Sequence, residues 1–425
     1  MAKRQKREIL TAVEVGTHTI KVVMGEFLPD QVLSLVGVGV EPSRKVIKGE
    51  VVDAGVVQEQ LQKALVAAED ASGADIENIF LAVTGGHIGS VNSVGSTLTN
   101  SQDHRIYEED RDAAMQNAVG FNLPPDKRPM HFFPRQYRVD GREVNNPVGM
   151  FGGKIEADAH IVYGLANRLE VSRNMIVEAV GLESEPRDLV FSAVAAGIGA
   201  FGREEIEQGA LIIDLGAGVT EYAVFQGTEQ CLHTAQITVG CDHIANDLSL
   251  GLRLPILRGR ELLERLAQFG AAAVMTQDGH TRLTQVELAQ GKPPRSIPVS
   301  SVEQIVEMRL QELFKYILTD LAAKDMIKRI GYGVKLCGGG ALIPRITDLA
   351  RSVFEMPVEV ARPRLVSGQK EIVNSPVFVT PIGVLRYGKA MLESGGRDHV
   401  PVKEVIRNEI QRIFGVFRKG RPFQW

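Results

Sequence analysis

Residues 9–27, ILTAVEVGTHTIKVVMGEF, and residues 210–228, ALIIDLGAGVTEYAVFQGT, are two versions of one phrase, and that repetition limits the chain to folds with two similar halves. Each copy is an apolar, β-branched run ending in a carboxylate, followed by X-Gly, a small or hydroxylated turn and a second β-run. Apolar runs around a short glycine turn read as hairpins. Such turns offer clustered backbone N–H groups to an anion, and glycine lets the main chain approach closely. Glu14 and Asp214, at the same turn position in the two copies, would repel a bare phosphate. They make sense chiefly with a divalent cation between them. The pattern therefore reads as two phosphate loops facing one ligand with Mg²⁺ between them.

A chain of 425 residues is too long for one ordinary core, so two to four domains are expected. A formal net charge of −4 argues against a nucleic-acid partner. The three cysteines, Cys231, Cys241 and Cys337, have neither metal-site nor disulfide-framework spacing, which fits a reducing cytosol. No signal-peptide core appears, and no stretch approaches the ~20 apolar residues of a membrane span. The protein is expected to stay inside the cell.

Along the chain, Val32 to Val40 reads as a strand and Val56 to Ala71 as a helix with Val57, Leu61, Leu65 and Ala68 on one face. Ile79 to Val83 reads as a short buried strand. Residues 88–160 break the rhythm with polar strand-like pieces, a charged helix around Glu108 to Val119 and the Pro-rich LPPDKRPMHFFP. A βα pattern resumes at Ala159 to Tyr163 with the helix Ala166 to Ala179, so 85–162 reads as a small inserted domain. A helix is expected over Arg187 to Phe201, a charged region from Asp242 to about Pro298, and a helix over Ser301 to Ala323. The strand Gly333 to Cys337 runs into Gly338-Gly339-Gly340, a strand-to-helix turn where bare backbone can meet a flat or anionic group.

Two other patterns carry less. Gly197-Ile-Gly199-Ala-Phe-Gly202 spells a dinucleotide fingerprint but closes a predicted helix instead of opening one. Among nine histidines, His18 sits in the first turn and reads as a solvent-facing side chain, and His87, at the start of the insertion, reads as structural.

The C-terminus carries a second strong signal. After the polar linker MLESGGRDHVP, the residues Val402, Val405, Ile406, Ile410, Ile413, Phe414 and Phe417 recur at helical spacing. Lys403, Arg407, Arg412, Arg418, Lys419 and Arg421 mostly occupy the other side, and only Glu404 and Glu409 oppose these six cations. At ~1.5 Å per residue such a helix is about 25 Å long. Charged as it is, it suits the surface of an anionic bilayer and not its interior, with Phe423 and Trp425 at the interface; the same pattern also fits a helix docked on the protein's own core or on a partner, but the linker before it and the cations around it favour the membrane.

The order EVGT, DLGAGVT, GGGALIP, TPIGVLRYG resembles the actin, sugar-kinase and heat-shock ATPase fold. The segments VGVGVEPSRKVIKGEVVD, TGGHIGSVNSVG, RPMHFFPRQYRVDG, NPVGMFGGKIEADAHIV and KPPRS, with the amphipathic tail, make the finer resemblance to the FtsA family of bacterial division proteins, over essentially residues 7–425. The resemblance implies an α/β fold of two homologous lobes, each a mixed sheet with helices, and a small α+β domain inserted in the first. It implies a first lobe of 7–84 and 163–202, rejoined by 376–392, around the insertion 85–162. The second lobe would span 203–241 and 299–375 with an outer subdomain of 242–298, then a linker of 393–401 and a membrane-binding tail of 402–425.

The resemblance also implies ATP with Mg²⁺ between the lobes. Gly16 and Thr17 would contact phosphate and Lys21 would neutralise it. Asp214, Gly216, Ala217, Gly218 and Thr220 would form the second loop, and Gly338, Gly339 and Gly340 would bracket the adenosine. Glu14 and Asp214 would hold the metal through water, Glu14 standing where an aspartate is usual. Asp188 falls nearest the water-orienting position, where Gln or Glu is usual, so hydrolysis is expected to be slow; a helix N-cap is an equal alternative for this residue. Where related folds put a lysine against the base, the best candidates here are Glu261 and Glu264.

The family's role is to polymerise at the cytoplasmic face of the inner membrane at the division site. There it tethers the C-terminal tail of the tubulin-like FtsZ through the outer subdomain. The inserted domain serves self-association and later division proteins. Membrane contact would fall to Val405, Ile406, Ile410, Ile413, Phe414, Phe417, Arg407, Arg412, Arg418, Lys419 and Trp425. A pilus-assembly relative and a small-metabolite kinase on the same fold are the alternatives. A basic amphipathic tail suits neither.

Overall fold

The computed structural model describes residues 8–120, 123–181, 185–227, 230–269, 274–275, 282–287 and 293–393. The first phrase forms the antiparallel strands Ile9–Val15 and Thr19–Phe27, in a register that sets Glu14 opposite Lys21. Gly16 N–H donates to the Thr19 carbonyl at 3.0 Å to close the turn. Leu33–Pro42 adds a third, antiparallel strand. The Ala54–Ser72 helix begins at Asp53, whose carboxylate accepts from Val56 N–H, and ends at Gly73 in the left-handed region (φ 62°). It lies so close to the third strand that a Cβ at Gly39 would stand 1.9 Å from the Ala64 carbonyl oxygen. After this crossover, Ile79–Val83 runs parallel to Ile9–Val15, and Asp188–Phe191 runs parallel to Ile79–Val83. Val366–Ser367 completes the six-stranded sheet beside Leu33–Pro42.

The second phrase repeats this plan. Ala210–Leu215 and Thr220–Gln226 pair antiparallel with Asp214 opposite Glu221, and Gly216 N–H donates to the Val219 carbonyl at 3.0 Å. Gln230–Ile237 follows antiparallel, then Gly333–Cys337 and Val358–Val360 add in parallel on the far side of Ala210–Leu215. The fold class is α/β, with two lobes built to one topology around separate cores, one centred on residues such as Leu10, Leu61 and Phe80 and the other on Leu211, Leu248 and Phe314. Two helices cross between them. Ser192–Ala200 leaves the first lobe and packs under the second-lobe strands, and Val379–Glu393 leaves the second and packs under the first. They meet through glycines: a Cβ at Gly383 would stand 1.8 Å from the Ala195 carbonyl oxygen. The Gly197–Gly202 pattern belongs to this packing.

The helix expected over 187–201 is shorter, because Asp188–Phe191 is captured as a strand by Phe80–Val83 and the helix begins only at Ser192. The Pro-rich segment is likewise more regular than its composition suggests. Lys127–Val139 is a 13-residue strand, and Pro129 and Pro134 both lie at register shifts against Lys154–Leu165, where a missing N–H costs no ladder bond.

Residues 88–165 form a four-stranded antiparallel sheet, order Ile88–Leu98, Lys154–Leu165, Lys127–Val139, Arg142–Val144, covered by the Glu108–Val119 helix around Met115, Tyr137 and Ile155. Beyond the second sheet, helices Cys241–Leu252, Ile256–Phe269 and Val299–Ala323 accompany a small sheet of Val274–Met275, Arg282–Val286 and Arg295–Pro298. Among the described residues no helix is long and apolar enough to cross a membrane. Of the expected linker only Glu393 is described, as the end of the Val379–Glu393 helix; the rest of it and the tail, including every membrane-contact residue from Val405 to Trp425, lie outside the described residues.

Candidate functional site

Both glycine turns open onto one cleft of about 280 Å³ between the lobes. Glu14, Gly16, Thr17 and Lys21 line it from the first lobe, and Asp214, Gly216, Ala217, Gly218 and Gly338 to Gly340 from the second. The turns abut. Thr17 Oγ1 accepts from Gly49 N–H at 3.0 Å, and a Cβ at Gly218 would stand 2.5 Å from that same oxygen. Behind the second turn, Cys241 and Asp242 open a helix by donating their N–H groups to the Gly216 and Ala217 carbonyls at 3.0 and 2.8 Å. Gly338 is left-handed (φ 79°) and a Cβ there would stand 2.3 Å from Asp214 Oδ1, so only glycine fits. Gly339 has nothing within 4 Å of that position and faces open space.

The charges in the cleft do not balance. Lys21, 6% exposed, donates to Glu14 Oε1 at 2.8 Å. Glu14 Oε2 is buried and has no hydrogen-bond partner among the described residues. Asp214 Oδ2 accepts from the Thr380 hydroxyl at 2.6 Å, the first turn of the helix that returns to the first lobe. Burial raises the pKa of Glu14 against the pull of Lys21, with Asp214 adding to the rise, and burial likewise raises that of Asp214 against its bond from Thr380. A third carboxylate, Glu221, is 3% exposed and accepts from the Thr84 hydroxyl at 2.6 Å. Burial pushes it up to about 8, with Asp214 contributing. Three acids thus share one ammonium, and an orphaned carboxylate oxygen among them fits a cation that enters with an anionic ligand. Among the described residues no group of three His, Cys, Asp or Glu side chains is arranged to hold a metal directly.

Two expected residues lie elsewhere. Thr220 is fully buried and donates its hydroxyl to the Val239 carbonyl at 2.8 Å, away from the cleft. Asp188 heads a strand, and its Oδ2 accepts from Tyr387 OH at 2.7 Å, so it holds the inter-lobe helix and does not line the cleft. Glu261 pairs with Arg258 at 2.6 Å, while Glu264 does line the cleft, together with Arg260, which bonds Asp242 at 2.8 Å. His18 lines the mouth, 3.8 Å from Glu264 across the lobes. His87 is buried, and its ring nitrogens have no hydrogen-bond partner among the described residues. Glu221, Thr84 and Arg260 were not anticipated. Superposing the two phrases gives the signal for Glu221, which falls on Lys21.

Two like lobes meeting at paired glycine turns define an actin-like fold, and comparison with known proteins agrees. Among solved structures, the PilM-PilN type IV pilus biogenesis complex is similar with a TM-score of 0.59 at 14% identity, covering 90% of this chain and 99% of that one. MreB5 of Spiroplasma citri bound to AMPPNP is similar with a TM-score of 0.51 at 14% identity, covering 92% and 98%. These likenesses show the fold alone. The family model "Cell division protein FtsA" matches residues 211–383, and "SHS2 domain inserted in FTSA" matches 85–163. The chain is 31% identical over 392 residues to the cell division protein FtsA of Pseudomonas aeruginosa, covering 91% of each, and 27% identical over 399 residues to that of Escherichia coli K12, covering 92% of each. The chain belongs to the FtsA family of cell division proteins.

Proposed function

We propose that the chain binds ATP with Mg²⁺ in the inter-lobe cleft and polymerises on the cytoplasmic face of the inner membrane. In this reading it tethers FtsZ there and recruits later division proteins. The observation that carries the nucleotide reading is the convergence of both glycine turns, with Glu14, Lys21 and Asp214, on one cleft. Backbone N–H groups of Gly16, Thr17 and Gly216 to Gly218 would cradle the phosphates, Lys21 would offset their charge, and Gly338 to Gly340 would bracket the adenosine. Mg²⁺, when bound, supplies the positive charge that lets Glu14 and Asp214 stand beside a triphosphate. Thr380 fixes Asp214 in place, which links the acid to the helix that spans the lobes. A ligand touching both turns favours one lobe angle, and that is how nucleotide would select a polymer-competent state.

Family membership supports the division role, and the outer subdomain of 242–298 is the proposed seat of the FtsZ C-terminal tail. The amphipathic pattern of 402–417 supports the anchor, and many weak anchors in one filament add up to firm attachment. Calorimetry with ATP and Mg²⁺ tests the core of the proposal. The full chain should bind and Asp214→Ala should lose binding; no heat from the full chain ends the nucleotide reading.

A further inference from the structure

The inserted domain leaves the first lobe after Thr84 and returns to it at Leu165, yet its root also grips the second lobe. Two buried imidazoles on neighbouring strands bind it to the two lobes, His131 to the first and His160 to the second. His131, fully buried on Lys127–Val139, accepts at Nε2 from the Phe191 N–H at 3.0 Å. Phe191 ends a first-lobe strand and immediately precedes Ser192, which lines the cleft. His160, 1% exposed on Lys154–Leu165, lies 2.7 Å from Asn92 Oδ1 through Nδ1 and 2.9 Å from Thr234 Oγ1 through Nε2. With the Asn92 oxygen accepting, Nδ1 carries the proton and Nε2 accepts from the Thr234 hydroxyl. The Ser90 hydroxyl donates to the Thr234 carbonyl at 2.8 Å.

Thr234 belongs to the second lobe, paired with Ala223 on the strand that carries Glu221. Burial drives His131 down to about 3 and holds His160 well below the usual imidazole range, with His233 and Arg135 adding to the latter. Both rings therefore stay neutral and keep an acceptor nitrogen.

We infer that the inserted domain is a clasp between the lobes: His131 on Phe191 and His160 on Thr234 hold the lobes at one angle, so the cleft opens only when one of these contacts breaks. Both contacts are buried, so breaking either leaves a polar atom without a partner and without water, a strong bias toward the clasped arrangement. By linkage, a partner that tightens the root of the insertion favours the closed cleft. A ligand that closes the cleft tightens the root by the same factor.

The test uses the full chain with dyes at the exposed positions 62 and 352, one on a helix of each lobe, placed through a genetically encoded reactive residue. Thr234→Val keeps the shape of the side chain and removes the hydroxyl. The expected result is a shift of the inter-lobe distance distribution to longer values without nucleotide, with faster amide exchange across 154–165. A folded Thr234→Val chain with the wild-type distribution overturns the clasp, because a merely structural bond would lower the melting temperature and leave the lobe angle alone. If Thr234→Val does not fold, Ser90→Ala removes the companion bond. A smaller shift in the same direction supports the inference, and an unchanged distribution overturns it. None of these readouts depends on nucleotide binding, so the outcome is separate from that of the calorimetric test.

Discussion

Thr84, at the end of a first-lobe strand, donates its hydroxyl to Oε1 of Glu221 in the second lobe at 2.6 Å. Burial, with the Asp214 charge behind it, lifts the Glu221 carboxyl from 4.5 to about 8. Between those values the folded chain holds a proton that the unfolded chain releases. The stability linked to this proton is therefore whole below the unfolded value and is lost as pH rises through the folded one. The slope is at most roughly 1.4 kcal/mol per pH unit inside that window. Glu221→Gln keeps an acceptor for Thr84 and cannot ionise, so it should flatten the loss. Denaturant unfolding at about pH 6 and about pH 8.5 checks this. Equal losses in wild type and variant would show that Glu221 is not the titrating group.

Two glycines in the cleft should separate folding from binding. A Cβ at Gly218 would stand 2.5 Å from Thr17 Oγ1 and 2.7 Å from Lys48 Cα, so Gly218→Ala must push the lobes apart. It should lower the melting temperature and weaken nucleotide binding together. Gly339 has open space at the same position, so Gly339→Ala should melt like wild type and still bind adenine nucleotide about tenfold more weakly, a difference of about 1.4 kcal/mol. Calorimetry beside thermal melts decides. Unchanged affinity in Gly339→Ala places the adenosine elsewhere.

The duplicated hairpins were legible in the sequence because their signals are local: alternating apolar runs, a carboxylate and a glycine turn. Where tertiary pairing decides, local sequence is ambiguous. Leu189-Val-Phe-Ser-Ala-Val is apolar at either period, and the neighbouring Phe80–Val83 strand determines that its first part is extended. The family resemblance places Thr220 in the second loop, although Glu221, opposite Asp214, is the residue that lines the cleft. Arg260 carries no signal of its own in the sequence, and of 260, 261 and 264 only Arg260 and Glu264 line the cleft. The strand through Pro129 and Pro134 is hidden in the sequence because proline argues against a central strand, and it is the bulges at Met130 and Arg135, beside the two prolines, that make room.

Asp188 should prove a structural residue. Its Oδ1 accepts from Leu189 N–H at 2.8 Å and its Oδ2 from Tyr387 OH at 2.7 Å. Asp188→Asn and Tyr387→Phe are each expected to cost about 1 kcal/mol of stability, the worth of a typical hydrogen bond, and to leave nucleotide affinity and any phosphate release unchanged. Melts and a phosphate-release assay on both variants check it. Release that falls in Asp188→Asn and not in Tyr387→Phe would return Asp188 to a water-orienting role.

The tail makes the sharpest prediction about location. In the sequence, Val405, Ile406, Ile410, Ile413, Phe414 and Phe417 recur at helical spacing, interspersed with Arg407, Arg412, Arg418 and Lys419. A helix of that kind lies on a bilayer by burying its stripe in the headgroup boundary, while its cations are drawn to anionic lipid. The full chain should therefore sediment with phosphatidylglycerol vesicles, less with neutral ones, and less again as salt rises to about 0.5 M, where charges are screened within a few ångströms. A chain ending at Gly395 and the variant Phe414→Asp should both stay in the supernatant while still binding nucleotide, since every described residue that lines the cleft precedes residue 378. Sedimentation of the shortened chain equal to that of the full chain would move the membrane contact off the tail and onto the folded lobes.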